Sequence, residues 1–370
     1  MNKQWNRLCP PLVSVLVLVV ASVFGLQTKW KGTAKIENGV TVVRNPENPL
    51  YGKEALILQE DLAIGKPGSP PEALFSDIRQ IAVDARENIY VLDGKESQVK
   101  VFDREGKHLR TIGRPGQGPG ELDNPRSISI SSDEIVVTET SRRLSFFSLD
   151  GSYLRTLSTK ETWALMAECD SQGNIIITTA TLDPKEPYYS YLKFDAQLNL
   201  LFEIARSPAP NASKGFNPFM PISYFRVGKD DNIIYGYPGD YTIQVISPQG
   251  KLIKKITRDY GPVEVTEKEK KEVMGDAPPS IKFDFSRYHS AYRRFVADDE
   301  GRVIVQSWEK DEPKDIFLYD VFDAEGRYIV QVPIEGRPFA ALKGKIYVSS
   351  EDEEGNPLVI RYHLTWKIPV

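Results

Sequence analysis

The sequence predicts an all-β fold that is assembled from small, four-stranded antiparallel sheets. Three observations favour it: short runs with strand periodicity, an internal repeat of those runs, and an incomplete repeat at each end of the chain. The clearest unit contains four such runs, bounded by Asp, Asn and Gly residues that permit tight turns. These runs are Ile81–Val83, Ile89–Val91, Val99–Phe102 and Leu109–Ile112.

The unit recurs along the chain at intervals that vary with the length of its loops. A small sheet cannot bury both of its faces alone, so units of this kind are expected to pack against one another. Six units of four strands predict a six-bladed β-propeller, an architecture that spans about 4 to 8 blades. The apolar residue that marks the second strand stands at Ile89, Ile135, Ile175, Ile233, Val303 and Ile346, with gaps of 46, 40, 58, 70 and 43 residues.

The two ends of the repeat region predict how the ring closes. The segment Ile64–Gly68 matches Ile112–Gly116, which follows the fourth strand of the first unit. The last unit has a clear second and third strand but no matching turn after them. We therefore expect the N-terminal strand to complete the last blade, which removes two exposed sheet edges. The alternative is that residues 366–370 form this closing strand.

One motif carries a resemblance to a known family. The run Thr111-Ile-Gly-Arg-Pro-Gly-Gln-Gly-Pro-Gly-Glu-Leu122, with the phrases Ile81-Ala-Val-Asp84 and Asn88-Ile-Tyr-Val-Leu-Asp93, resembles exported bacterial six-bladed β-propeller proteins related to NHL repeats. The likeness covers about residues 55–370 and is strongest in the first two units. It implies the fold and an exported location, and it implies no particular activity.

The N-terminus predicts export. A basic stub, Met1–Arg7, precedes an uncharged apolar stretch from Leu12 to Phe24, which is shorter than the span of about 20 residues that crosses a membrane. We expect a signal peptide at residues 1–25, an extended lead-in at 26–54 and the propeller at 55–370. The mature chain then has no membrane span unless the first segment stays as an uncleaved anchor. The lead-in either packs on the ring or forms a loose linker.

Composition excludes several classes of partner and cofactor. A net charge of −4 and a pI near 5.7 argue against nucleic acid, because binding to phosphates relies on a basic field. Of the two cysteines only Cys169 follows the predicted signal peptide, so no disulfide and no cysteine metal site is expected. We expect no cofactor.

The long insertions are predicted to share one face of the ring. They fall between the second and third strands of a blade, or between consecutive blades, and in an up-and-down blade these connections emerge on the same side. Long loops on a rigid scaffold often carry function, so we expect this face to bind a protein, peptide or carbohydrate. The insertions are Arg114–Pro125, Asp183–Tyr189, Ser207–Ser223, Asp259–His289, Trp308–Asp315 and Glu351–Asn356.

Arginines and aromatic residues are the candidate ligand contacts at this face. Arg79 and Arg126 each precede the repeat isoleucine by two residues, and Arg293 aligns with them. Residues at the start of a first strand reach the mouth of the central channel, so a basic ring there suits an anion; alternatively, the arginines pair with carboxylates of neighbouring blades. The predicted ligand-binding residues are Arg79, Arg126, Arg226, Arg293, Trp163, Tyr188, Tyr224, His289, Tyr292 and Trp308.

No catalytic motif supports an enzyme, so we predict a binding module without catalytic or metal-binding residues. The alternative is an enzyme similar to propeller lactonases or NHL-type lyases, with a metal over the channel and a site around His289, Tyr288, Tyr292 and Arg293. A purely structural envelope scaffold is a third interpretation. The acidic loop Glu351–Asn356 is interpreted as a solvated turn, with calcium binding as the alternative.

Overall fold

The computed structural model describes residues 29–159, 163–181, 183, 185–211, 215–275, 277–278 and 280–368. The predicted signal peptide lies outside these residues. Within the described part of the chain, no helix is both long enough and apolar enough to span a bilayer. The first three strands are β1 (Thr33–Glu37), β2 (Val40–Asn45) and β3 (Leu56–Ile64).

The first three blades are antiparallel meanders of four strands each. Blade one contains β4 (Ile78–Val83), β5 (Ile89–Asp93), β6 (Gln98–Phe102) and β7 (His108–Ile112). Blade two contains β8 (Pro125–Ile130), β9 (Glu134–Glu139), β10 (Arg143–Ser148) and β11 (Tyr153–Ser158). Blade three contains β12 (Ala164–Cys169), β13 (Ile175–Thr181), β14 (Tyr188–Phe194) and β15 (Leu200–Pro208).

The remaining blades follow the same plan. Blade four contains β16 (Tyr224–Val227), β17 (Ile233–Gly236), β18 (Thr242–Ile246) and β19 (Leu252–Arg258), and the helix α1 (Glu267–Gly275) follows it. Blade five contains β20 (Arg294–Ala297), β21 (Val303–Asp311), β22 (Ile316–Phe322) and β23 (Tyr328–Pro333). Blade six begins with β24 (Arg337–Leu342), β25 (Lys345–Glu351) and β26 (Pro357–Trp366).

The N-terminal strand closes the ring. The sheet of blade six has the order β24-β25-β26-β3, and β3 pairs antiparallel with β26 from Leu56 opposite Trp366 to Ile64 opposite Val359. This confirms the predicted six-bladed fold and its closure. The alternative, in which residue 366 begins the closing strand, is wrong, because Trp366 ends the third strand of the blade.

The first strands of the blades form the inner ring. Each contacts the first strand of both neighbouring blades, so β4, β8, β12, β16, β20 and β24 make a closed circuit. Side chains from the preceding blade satisfy N–H groups on this inner edge: Ala167 N–H donates to Ser127 Oγ at 3.1 Å, and Val227 N–H donates to Glu168 Oε2 at 2.7 Å. An edge N–H without a partner would otherwise be costly.

The apolar core is divided among the interfaces between blades. The described residues form six apolar clusters, each of which joins two consecutive blades. In β5, Ile89 and Val91 pack toward blade six, whereas Tyr90 and Leu92 pack toward blade two. This division follows from the two-residue period of a strand, which sends successive side chains to opposite faces.

Aspartates close the short turns on the outside of this core. Asp84 Oδ1 accepts from the N–H groups of Arg86 and Asn88, both at 2.8 Å, and its other oxygen accepts from Asn88 Nδ2. The carboxylate thereby satisfies turn N–H groups that lack strand partners. The backbone part of this arrangement recurs at Asp103, Asp170, Asp195, Asp298 and Asp352.

The segment before the ring lies along its outer rim. Strand β2 pairs in parallel with β19, which extends the sheet of blade four to six strands. The buried Asn45 side chain donates to Thr257 O at 3.0 Å and Gly326 O at 2.9 Å, and it accepts from Tyr328 N at 2.7 Å. Further on, Leu50 N–H donates to Tyr328 O. Residues 33–51 therefore contact blades four and five before β3 enters blade six.

A buried ion pair joins blades four and five. Arg258 Nη1 of β19 lies 2.8 Å from Asp320 Oδ2 of β22, and Asp320 is 0% exposed. The hydroxyl groups of Tyr241 and Tyr328 also donate to the carboxylate of Asp320. A buried charge of this kind is tolerated because several donors surround it.

Replacing Asp320 with alanine is expected to lower the free energy of unfolding by about 3 to 5 kcal/mol, because Arg258 would remain buried without its nearest carboxylate. Chemical denaturation monitored by circular dichroism measures the loss. The control is Glu203→Ala, which removes a solvent-exposed partner of Arg206 and should cost less than about 1 kcal/mol. Similar losses in both variants would contradict the prediction.

Candidate functional site

The connections between strands differ in length on the two faces of the ring. We call the side that carries the connections between blades, and those between second and third strands, the loop face; the opposite side is the plain face. On the plain face the connections have five residues or fewer, as at residues 84–88. The loop face carries residues 65–77, 113–124, 209–223 and 259–293. Half of the predicted Trp308–Asp315 insertion is strand, because β21 extends to Asp311, which pairs with Ile316 of β22.

The longest connection contains the predicted helix. Thr266 and Glu269 form a capping box, in which Thr266 N–H donates to Glu269 Oε2 at 2.8 Å and Glu269 N–H donates to Thr266 Oγ1 at 3.2 Å. The second carboxylate oxygen of Glu269 is hydrogen-bonded to His289 Nε2 at 3.1 Å. The cap that starts α1 therefore also ties the helix to the end of the insertion.

His289 is held within an aromatic cluster. Its side chain is 2% exposed, and its ring stacks on Trp308 with centroids 3.8 Å apart, while Phe219 meets it edge-on. Burial is the main cause that lowers the pKa of His289; Arg293 adds to the effect and Glu269 opposes it. In the described part of the chain, no three or more His, Cys, Asp or Glu side chains are grouped so that they could hold a metal ion. His289, central to the enzyme alternative, thus contributes to packing.

Arg79 makes an ion pair next to its own strand and hydrogen bonds to the next blade. Its Nε lies 2.9 Å from Asp77 Oδ2, and its Nη1 donates to Asn124 Oδ1 and Pro125 O, both at 2.6 Å. These contacts join blade one to the connection that enters blade two. Arg126 differs: its side chain is exposed and makes no ion pair with the other described residues.

Arg226 is also neutralised within the ring. Its Nη1 lies 2.9 Å from Glu168 Oε1, and both side chains are largely buried. Arg226 belongs to β16 and Glu168 to β12, so the pair joins blades three and four. Burial raises the pKa of Glu168, and Arg226 opposes that rise.

Three other arginines cluster at the mouth of the channel without a carboxylate partner. Arg294 and Arg337 are the first residues of β20 and β24, at the ends of these strands that open on the loop face, and Arg293 immediately precedes β20. Among the described residues none of the three makes an ion pair. The guanidinium of Arg293 instead lies over the rings of Trp308, at 4.6 Å, and Phe317, at 4.2 Å.

The arginine cluster is electrostatically strained. Burial, and after it the charges of Arg294, Arg226 and Arg293, lower the pKa of Arg337 to about 10. Burial and the charge of Arg294 likewise lower the pKa of Arg293. The side chain of Arg337 is nevertheless exposed to solvent. These positive charges therefore repel one another at a position that a ligand can reach.

The predicted aromatic contacts are divided between surface and core. Tyr292 is 0% exposed and its hydroxyl donates to Thr242 O at 3.2 Å, so it belongs to the core and offers no surface to a ligand. Tyr224 is half-buried at the start of β16. Trp308 is half-buried, and its Nε1 donates to Ser290 Oγ at 3.2 Å.

Trp163 and Tyr188 lie away from this cluster. Trp163 is 45% exposed, and the guanidinium of Arg142 lies 5.3 Å from its ring. Tyr188 packs against Arg206 and lines a surface groove of about 440 Å³ on blade three. The structure therefore brings together His289, Arg293 and Trp308, and leaves these two residues on other blades.

The predicted ligand-binding residues include neither Arg294 nor Arg337. Arg337 follows Gly336 and is the first residue of β24, the first strand of blade six. This position in the repeat could have identified it from the sequence. Arg337 stands nine residues before Ile346, as Arg126 stands nine residues before Ile135, so the spacing that marks Arg126 also marks Arg337.

The fold and this site define the class of protein as a six-bladed β-propeller with one elaborated face. The chain belongs to the family described as domain of unknown function DUF4934, whose model matches residues 70–286. A search of curated proteins finds no match.

Solved structures share the fold at low sequence identity. A Bacteroides fragilis protein whose name describes it as exported is 13% identical, with a TM-score of 0.60 over 89% of this chain and 100% of the other. A Bacteroides vulgatus member of the DUF4221 family is 11% identical, with a TM-score of 0.50 over 85% of this chain and 99% of the other. Identities this low show the fold alone, and the relation to NHL repeats stays a prediction.

Acidification is expected to weaken the fold partly through His289. The folded state holds the pKa of His289 below its ordinary value of 6.5, so below that value the unfolded chain takes up the proton more readily and the free energy of unfolding falls. A His289→Phe variant keeps a ring against Trp308 but cannot titrate, so its melting temperature should fall less between about pH 7 and about pH 5.

The control for this measurement is His363→Gln, which changes an exposed histidine. Between about pH 7 and about pH 5, the melting temperature of this variant should fall by as much as that of the wild type. If the His289→Phe variant loses as much stability on acidification as the wild type does, burial of His289 does not contribute to the pH dependence.

Proposed function

We propose that the protein is an exported binding module that captures a protein, peptide or carbohydrate ligand on its loop face, around the mouth of the central channel. The contrast between the two faces carries this proposal. Among the described residues, the plain face has only short turns, several of them closed by aspartates, whereas the loop face carries the insertions and the arginines without a carboxylate within ion-pair distance. Binding residues commonly lie on loops that a rigid scaffold positions.

Exposed aromatic side chains on the insertions support the same proposal. Phe216, between blades three and four, is 48% exposed, and Tyr288, between blades four and five, is 38% exposed. Aromatic rings offer apolar area at little cost in conformational entropy, and they are enriched at binding surfaces. The positive charges nearby favour a ligand with negative groups.

Export is part of the proposal. It is supported by the N-terminal pattern of a basic stub and a short apolar stretch and by the name of the Bacteroides fragilis protein that shares the fold. We also propose that the signal peptide ends at residue 25, that the lead-in ends at residue 54, and that the propeller is related to NHL repeats. We propose no enzymatic function, because the aromatic cluster and Glu269 already engage His289.

A steric block on either face tests the proposal. Arg126→Cys places a reactive thiol on the loop face, and Arg86→Cys places one on the plain face; both positions are exposed, while the native Cys169 is buried. Each purified protein is coupled to a polyethylene glycol maleimide and applied to glycan and peptide arrays. The label at residue 126 should abolish the binding seen with unlabelled protein, and the label at residue 86 should leave it intact.

The opposite pattern of blocking, or equal binding by both labelled proteins, would contradict the proposed face. Failure of the unlabelled protein to bind any glycan or peptide would count against a binding module for these ligands. The melting temperature of each labelled protein shows whether the label disturbed the fold.

A further inference from the structure

We infer that the ligand presents an oxyanion, a carboxylate or a phosphate, to the guanidinium groups of Arg294 and Arg337 at the channel mouth. This inference rests on the proposed function and names the chemical class of its ligand. Arginine suits this role because its planar group donates several hydrogen bonds to the oxygens of carboxylates and phosphates.

The positions of the two arginines allow them to act on one group. Strands β20 and β24 contact each other in the inner ring, and each arginine is the first residue of its strand. Both residues thus stand at the end of the channel that opens on the loop face, on adjacent blades. Arg226, one blade further round, is already paired with Glu168.

The guanidinium of Arg294 has unused donors. Its Nε and Nη1 atoms are buried and have no hydrogen-bond partner among the described residues. A buried charged group normally has partners, because its desolvation is costly. An oxygen-rich anion between the two strands would supply the missing acceptors.

The surroundings favour an anion over a neutral ligand. The negative charge of Glu269 raises the pKa of Arg293. The carboxylate of Glu269 is already hydrogen-bonded to Thr266 and His289. The repulsion between Arg294 and Arg337 therefore has no carboxylate to offset it within ion-pair distance in the part of the chain that the structure describes. Binding of an oxyanion would offset that repulsion, which adds to its affinity.

Isothermal titration calorimetry of the full chain at low ionic strength tests the inference. Inorganic phosphate and citrate are the two probes, and they separate phosphate from carboxylate recognition. The wild type should bind at least one of them, and Arg294→Gln and Arg337→Gln should each weaken that binding by about tenfold or more. Arg86→Gln, which removes an exposed charge from the plain face, is the matched control and should bind as the wild type does.

A second measurement separates binding from a structural role. Removing one of several like charges relieves repulsion, so the ligand-free Arg337→Gln variant should melt at the same temperature as the wild type or higher. A clear fall in its melting temperature would mean that Arg337 stabilises the fold, and would overturn the inference. Absence of phosphate and citrate binding by the wild type, or equally tight binding by both variants, would also overturn it.

The two proposals fail in different ways. If the double variant Arg294→Gln/Arg337→Gln still binds its array ligand and a label at residue 126 blocks that binding, the oxyanion inference is wrong and the loop-face function stands. If the label has no effect, the loop-face function itself fails.

Discussion

Apolar contact between neighbouring blades is the interaction on which the rest of this structure depends. Each strand in the middle of a blade supplies two interfaces at once, as Ile89 and Tyr90 do for the blades on either side. A blade has no core of its own, so its stability is inseparable from that of its neighbours. The ring must close for every interface to be complete, and β3 provides that closure. The resulting scaffold holds the insertions of the loop face in fixed relation to one another.

The charges at the channel mouth differ from two buried ion pairs elsewhere in the ring. Lys193 lies 2.9 Å from Asp170 with both side chains buried, and Arg258 lies 2.8 Å from Asp320. By contrast, the buried Nε and Nη1 atoms of Arg294 have no hydrogen-bond partner among the described residues. In a protein whose local features otherwise agree with its fold, a local departure of this kind is expected at functional sites. The oxyanion inferred above would supply the negative charge that is missing beside these arginines.

Much of the fold was predictable from the sequence because local patterns of apolar and turn residues determine the strands and their order. The spaced isoleucines marked the second strands, and the match between Ile64–Gly68 and Ile112–Gly116 identified a closing strand. The site was less predictable, because it depends on contacts between blades. Nothing near Arg79 in the sequence identifies Asn124 as its partner, and nothing near Arg294 shows that its Nε and Nη1 atoms lie buried without a hydrogen-bond partner among the described residues. The burial of Tyr292 likewise depends on packing between blades four and five.

The path of the N-terminal segment has a consequence for how the protein is made. Strand β2, Leu50 and β3 lie in turn against blades four, five and six. Translation produces these segments before β26 (Pro357–Trp366), which is the partner of β3. The nascent polypeptide must therefore carry its closing strand without a strand partner until β26 has been synthesised. Pairing across so large a sequence separation is slow and leaves edges open to aggregation, so a chaperone that shields this early strand would speed productive folding.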